Sequence, residues 1–138
     1  MALVHKNHEF QRKSIYKDFD LSFSRHPLTN DVGVKTDANA INQSIRNLLN
    51  TSFYERSFHP EIGSNIREIL FEPADAITIN DLKISIRNII GNYEPRATLI
   101  DLIVTDNSEK NAYGVMVVYR INLEREPITL NVVLKRLR

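Results

Sequence analysis

Apolar positions along this 138-residue chain change their spacing several times, and each change marks an element. In residues 15 to 23, Phe19, Leu21 and Phe23 alternate with Asp18, Asp20 and Ser22, the period-two signature of a half-buried strand. His26-Pro27-Leu28-Thr29-Asn30-Asp31 is rich in residues that bend and cap, and predicts a turn. Ile41, Ile45, Leu48 and Leu49 then recur at helical spacing, with Thr36 or Asp37 placed to cap the helix and Asn50-Thr51 to end it. An aromatic-rich irregular stretch, Phe53 to Pro60, leads to Gly63 and a short second helix over Ser64 to Leu70, which buries Ile66, Ile69 and Leu70 and stops before Pro73. A third helix begins at Thr78 and Asp81, a near capping box with Asp in place of Glu. Its face is Ile79, Leu82, Ile86, Ile89 and Ile90. These are mediocre helix formers, so packing must hold it.

The last third returns to strand spacing. Residues 98 to 104 are almost continuously apolar, broken by Asp101. Val115, Val117, Tyr119, Ile121 and Leu123 share one face against Met116, Val118, Arg120 and Asn122. Ile128, Leu130, Val132 and Leu134 alternate with Thr129, Asn131, Val133 and Lys135. The short polar linkers, Asp106 to Ala112 and Glu124 to Pro127, predict antiparallel hairpins. The fold class expected is α+β, three helices packed on a small, mainly antiparallel β-sheet. The polar residues 1–14 form a flexible N-terminal segment in this reading, and 15–138 one domain. The last strand has only Lys135, Arg136 and Arg138 to blunt its edge, and an undefended edge invites another chain to add a strand.

Where the third helix meets the first long strand stands Tyr93-Glu94-Pro95-Arg96. Pro95 lacks a backbone donor and pushes Glu94 out of the α region, so the helix ends near Tyr93. Opposite charges then flank a rigid ring at a junction without a loop. Three readings fit: an internal salt bridge, a recognition point for another chain, or half of a catalytic pair.

Composition narrows the function classes. A net charge of +1 gives no basic footprint for nucleic acid or an anionic membrane. With no Cys, disulfides and thiolate metal sites are excluded. No apolar run suits a signal peptide or a membrane span, so a soluble protein is expected. His5, His8, His26 and His59 lack metal-ligand spacing and read as tail or turn residues. Only four Gly, at 33, 63, 91 and 114, are scattered along the chain, which leaves no phosphate loop. No cofactor, metal or small-molecule substrate is expected.

Five short motifs occur in order: the His26 to Asp31 turn, Asn47-Leu48-Leu49-Asn50-Thr51, Glu55-Arg56-Ser57-Phe58-His59-Pro60 with Gly63, Leu70-Phe71-Glu72-Pro73, and Tyr93-Glu94-Pro95-Arg96. Together, over residues 15 to 135, they resemble the baseplate wedge or sheath-initiator proteins of contractile-tailed phages. Relatives of these occur in type VI secretion baseplates and contractile bacteriocins. Ser57 stands where the family often has Pro. The resemblance implies a structural virion component of the tail baseplate, assembled in the host cytoplasm. Its partners would be the large wedge subunits and the tail sheath protein. By resemblance, Glu94, Pro95, Arg96, Glu55, Arg56 and Phe71 contact the wedge, and Val118, Arg120, Val133 and Lys135 lie on the strands that bind sheath. The family is sometimes labelled lysozyme-like, which makes a tail-associated peptidoglycan hydrolase one alternative; the equivalent subunit of a type VI secretion or bacteriocin baseplate is the other. Glycoside cleavage needs two carboxylates about 5 to 9.5 Å apart, one with a raised pKa. The candidates Glu55, Glu61, Glu72, Asp75 and Glu94 include three with Arg or Pro beside them, and no second lobe is evident to form a cleft. No catalytic residue is therefore assigned.

Overall fold

The computed structural model describes residues 13–137. The expected N-terminal segment falls almost wholly outside them. In chain order the elements are β1 (Lys17–Phe19), β2 (Val34–Thr36), α1 (Asp37–Asn50), α2 (Ile66–Ile69), α3 (Ala76–Tyr93), β3 (Ala97–Asn107), a 3-10 turn (Ser108–Lys110), β4 (Ala112–Ile121) and β5 (Pro127–Lys135). The fold is α+β, with a two-stranded sheet β1-β2 and a three-stranded antiparallel sheet β3-β4-β5.

The helical stripes pack as their spacing predicts. Ile41, Ile45, Leu48 and Leu49 of α1 and Leu82, Ile86, Ile89 and Ile90 of α3 are buried, and they meet Val115, Val117, Tyr119, Ile121, Leu130 and Leu134 from the sheet in one core. Each such side chain is worth about 1.5–3 kcal/mol. That outweighs a propensity deficit of about 0.5 kcal/mol per Ile, which is why α3 is stable.

Caps and boundaries differ from the sequence reading. Asp75, not Thr78, caps α3: its carboxylate accepts from Thr78 N at 2.8 Å, while Thr78 Oγ1 donates to Pro73 O. Thr36 precedes α1 without a side-chain cap bond. The Asp37 carboxylate instead accepts from Ile15 N and Tyr16 N, and Asp37 itself sits at φ 45°. Helix α2 is a single turn, shorter than the expected Ser64–Leu70, although Ile66, Ile69 and Leu70 are buried.

The largest departure is the first strand. Only Lys17–Phe19 pairs, with Thr36 to Val34, and Phe19, Leu21 and Phe23 are 70%, 51% and 70% exposed. The alternation is real, but its apolar side faces out. Leu123 also leaves the predicted face: β4 ends at Ile121, and Leu123 turns at φ 82° with 85% exposure. In β3 the register shifts between Leu99 and Asp101, which leaves Ile100 as an outward bulge. Asp101 Oδ1 accepts from Leu102 N there.

The order β3-β4-β5 makes β4 the central strand. Its main chain is paired on both sides, so Val118 and Arg120 cannot belong to a strand that accepts another strand. They lie on the outer face, Val118 half-buried and Arg120 exposed. In this three-stranded sheet only the outer strands, β3 and β5, have a free edge.

Candidate docking surfaces around the helix-to-strand corner

Helix α3 ends at Tyr93, as Pro95 requires, and the chain turns through Glu94 to start β3 at Ala97. The turn throws the Glu94 side chain inward, where it is 1% exposed. Pro95 faces solvent, and its carbonyl accepts from Asn122 Nδ2 at 2.6 Å. Arg96 folds back over Glu94: Nε donates to Oε1 at 2.7 Å and Nη2 to Oε2 at 2.9 Å. Its Nη1 reaches both oxygens of Asp18, at 2.9 and 3.0 Å. The guanidinium also lies 5.7 Å from the ring centre of Tyr16.

Burial alone would raise the Glu94 carboxyl. The Arg96 hydrogen bonds and charge, together with a hydrogen bond from Ser44, outweigh it and hold the carboxyl below its ordinary value. Arg96 is raised in turn, above all by its hydrogen bond to Glu94. The neighbouring Tyr119 is fully buried and donates to Asn42 Oδ1 at 2.8 Å. Burial, aided by the Glu94 charge, pushes its phenol up to about 12.

Of the three readings of the corner, the geometry gives the internal salt bridge, and it extends further than the motif itself. Asp18 lies 78 residues away in sequence, on β1. Arg96 thus clamps an arm, residues 15–36, onto the body. The other ties of the arm are polar too: Gln43 accepts from Leu21 N and donates to Phe19 O, and Asp37 holds Ile15 and Tyr16. Hydrogen bonds and charge thus fasten the arm together with the partly buried Tyr16, which packs against the core, while Phe19, Leu21 and Phe23 are turned outward. Between arm and α1 runs a groove of about 620 Å³, with Phe19, Leu21, Val34, Leu48 and Ile62 along it and Lys17 and Arg56 at its rim.

The remaining expected contact residues scatter. Glu55 accepts from Ser52 N at 2.9 Å and lies 3.6 Å from Arg67. Phe71 is 51% exposed and is not among the residues of the arm groove. Val133, 67% exposed, and Lys135 lie on β5 beside Leu70 and Leu137, along a second groove of about 430 Å³. No sequence signal pointed to Asp18, Tyr16 or Ser44, because their link to the corner is made only by the fold.

The two sheet edges are not alike. β3 carries its bulge at Ile100 and the carboxylates of Asp101 and Asp106, devices that discourage an added strand. β5 runs in register with β4 from Pro127 to Lys135 without a bulge. Among the described residues, no further backbone hydrogen bond involves residues 127–135. Also among them, no cluster of His, Cys, Asp and Glu could hold a metal ion, and no helix is long and apolar enough to cross a membrane.

Comparison with known proteins places this geometry. The chain is similar to a protein of Geobacter sulfurreducens described as a tail lysozyme (TM-score 0.61, 22% identity, 72% of this chain and 92% of the other). It is also similar to a chain of the anti-feeding prophage baseplate (TM-score 0.68, 23% identity, 77% and 85%). A chain of the postcontraction pyocin R2 baseplate matches with TM-score 0.50 and 16% identity over 79% and 95%. At such identities these likenesses show the fold. No curated protein sequence matches. The family model described as baseplate wedge protein gp25 matches residues 35–126, two-thirds of the chain, from the end of the arm through all three helices and the corner to the close of β4. The chain belongs to the baseplate wedge protein gp25 family.

Proposed function

We propose that this chain is a wedge subunit of a contractile phage tail that docks on the large wedge subunits at the Glu94-Pro95-Arg96 corner and initiates the sheath by pairing β5 with a strand of the sheath protein. The observation that carries this is the open β5 edge. It is straight, nine residues long and undefended except by Lys135, while the opposite edge is bulged and charged. A strand of that length offers main-chain affinity to any extended segment, and Val133 and Asn131 beside it select among side chains.

At the corner, all three guanidinium nitrogens of Arg96 are engaged by Glu94 and Asp18, so its part in docking is to hold the arm in place. The contact surface is then Pro95, Arg56 and the apolar outer side of the arm. Exposed apolar patches rimmed by charge are typical of protein interfaces. Assembly takes place in the host cytoplasm, before the sheath is added.

The same geometry supports a subunit without enzymatic activity. Glu94 is held ionised, the opposite of what a general acid requires. Purified protein is expected to give no clearing on cell-wall substrate; clearing that Glu94→Gln abolishes would overturn this.

The strand-pairing role is tested by Asn131→Lys with Val133→Lys, both on the outer face, supplied to particles lacking the native chain. Electron microscopy should show baseplates without sheath. Sheath of full length and frequency would refute the role.

A further inference from the structure

A third groove, of about 400 Å³, lies between α2 and α3. Its two walls are pinned together. Ser85 Oγ donates to Asn65 Oδ1 at 2.6 Å, and Tyr93 Oη donates to Glu61 O at 2.7 Å. Gly63 seats the rim, since a Cβ there would lie 2.6 Å from the backbone of Ser52 and Phe53. The groove is thus preformed.

Its lining has one sign of charge. Glu68, Glu72 and Asp81 are exposed along it, and no Lys, Arg or His lines it. Among the described residues, none of the three is in an ion pair. On α3 the polar positions Asp81, Ser85, Asn88 and Asn92 form a continuous helical stripe along one wall. Beside them Ile84 is 51% exposed and Phe53 43% exposed. A bare cation would leave these apolar side chains uncovered, and no metal cluster is present among the described residues. Carboxylates with hydrogen-bonding groups and apolar anchors suit a polypeptide that brings both cationic and apolar side chains.

We infer that the α2–α3 groove docks a lysine-bearing segment of a neighbouring baseplate protein, with Glu68, Glu72 and Asp81 pairing its cations and an apolar side chain seated on Ile84 and Phe53. The site is separate from the open β5 edge and from the arm. It rests on the chain's place in a baseplate and not on sheath initiation.

The test is a competition during particle assembly between the wild-type chain and the triple variant Glu68→Gln, Glu72→Gln, Asp81→Asn. All three side chains are exposed, so melting temperature should be unchanged. Three rim pairs predict that the variant is depleted about tenfold in purified particles. The charge-keeping variant Glu68→Asp, Glu72→Asp, Asp81→Glu should enter at near parity. Carbodiimide cross-linking of wild-type particles should join these carboxylates to lysines of another polypeptide. Equal incorporation of the amide variant would overturn the inference, as would cross-links made only to lysines of this chain, such as Lys83. Wild-type chain that enters no baseplate at all would instead contradict the functional assignment itself.

Discussion

Replacing Arg96 by Ala removes the guanidinium that neutralises Glu94 and strips Asp18 of its partner. The two losses differ greatly in size. Asp18 has a side chain 32% exposed, so water screens it, and its half of the bridge is worth about 0–1 kcal/mol. Glu94 is 1% exposed. Leaving a buried carboxylate without its partner costs about 3–5 kcal/mol. The expected loss is therefore about 3–5 kcal/mol, which for a chain of this size lowers the melting temperature by about 10–20 °C. Asp18→Asn should cost about 1 kcal/mol or less. Adding Glu94→Gln to the Arg96 variant should recover about 2 kcal/mol, because no buried charge then remains.

The pH dependence has a definite sign. In the wild type the folded carboxyl lies below its ordinary 4.5, so its stabilisation is complete above that pH and is lost as pH falls through the folded value. In Arg96→Ala, burial acts against one opponent fewer, the carboxyl rises, and the variant recovers part of its deficit on acidification. Urea unfolding at pH 7 and pH 4 measures both effects, and amide exchange at Ile15, Tyr16 and Leu21 reports whether the arm opens. A loss below about 1 kcal/mol, or one that Glu94→Gln leaves unchanged, would refute the view of Glu94 as a buried charge sustained by Arg96.

Tyr119 gives the alkaline counterpart. Its folded value near 12 exceeds the ordinary 10, so stability is full below pH 10 and falls by about 2–3 kcal/mol as pH rises to 12. Tyr119→Phe should abolish that slope and cost about 1 kcal/mol at neutral pH through the lost bond to Asn42. Gly63→Ala should destabilise by about 1–3 kcal/mol, since the new methyl meets the Ser52 carbonyl at 2.6 Å and backbone must move. Asp75→Ala should lower the melting temperature and raise amide exchange at Thr78, whereas Thr78→Ser should not expose that amide.

Much of the core was legible in the sequence because helical and strand periodicities record burial directly. Ile41 to Leu49, Leu82 to Ile90 and the alternating β4 and β5 all face where their spacing says. Period alone carries no sign, however. Phe19, Leu21 and Phe23 alternate like a strand laid on a core, yet β1 is tied to the body by Asp18 and by Gln43 from α1, so the apolar side turns outward. Helix starts were displaced because several candidates compete for each cap: Asp75 wins over Thr78, and Asp37 spends its carboxylate on the arm. The corner was visible as a Pro-interrupted charge pair, but not its third member, since nothing local links Asp18 to Arg96. The placement of β4 between its two neighbours, which removes Val118 and Arg120 from any edge, follows from the two hairpins taken together.

The central claim is that β5 completes a sheet with another protein while the corner, through its arm, meets the wedge. A structure of the assembled baseplate that resolves this chain tests it most directly. The account predicts a strand of a different polypeptide running about 4.8 Å from β5 along residues 128–135, and a neighbouring subunit covering Phe19, Leu21 and Val34. An assembled particle in which β5 faces solvent and the arm touches nothing would contradict it.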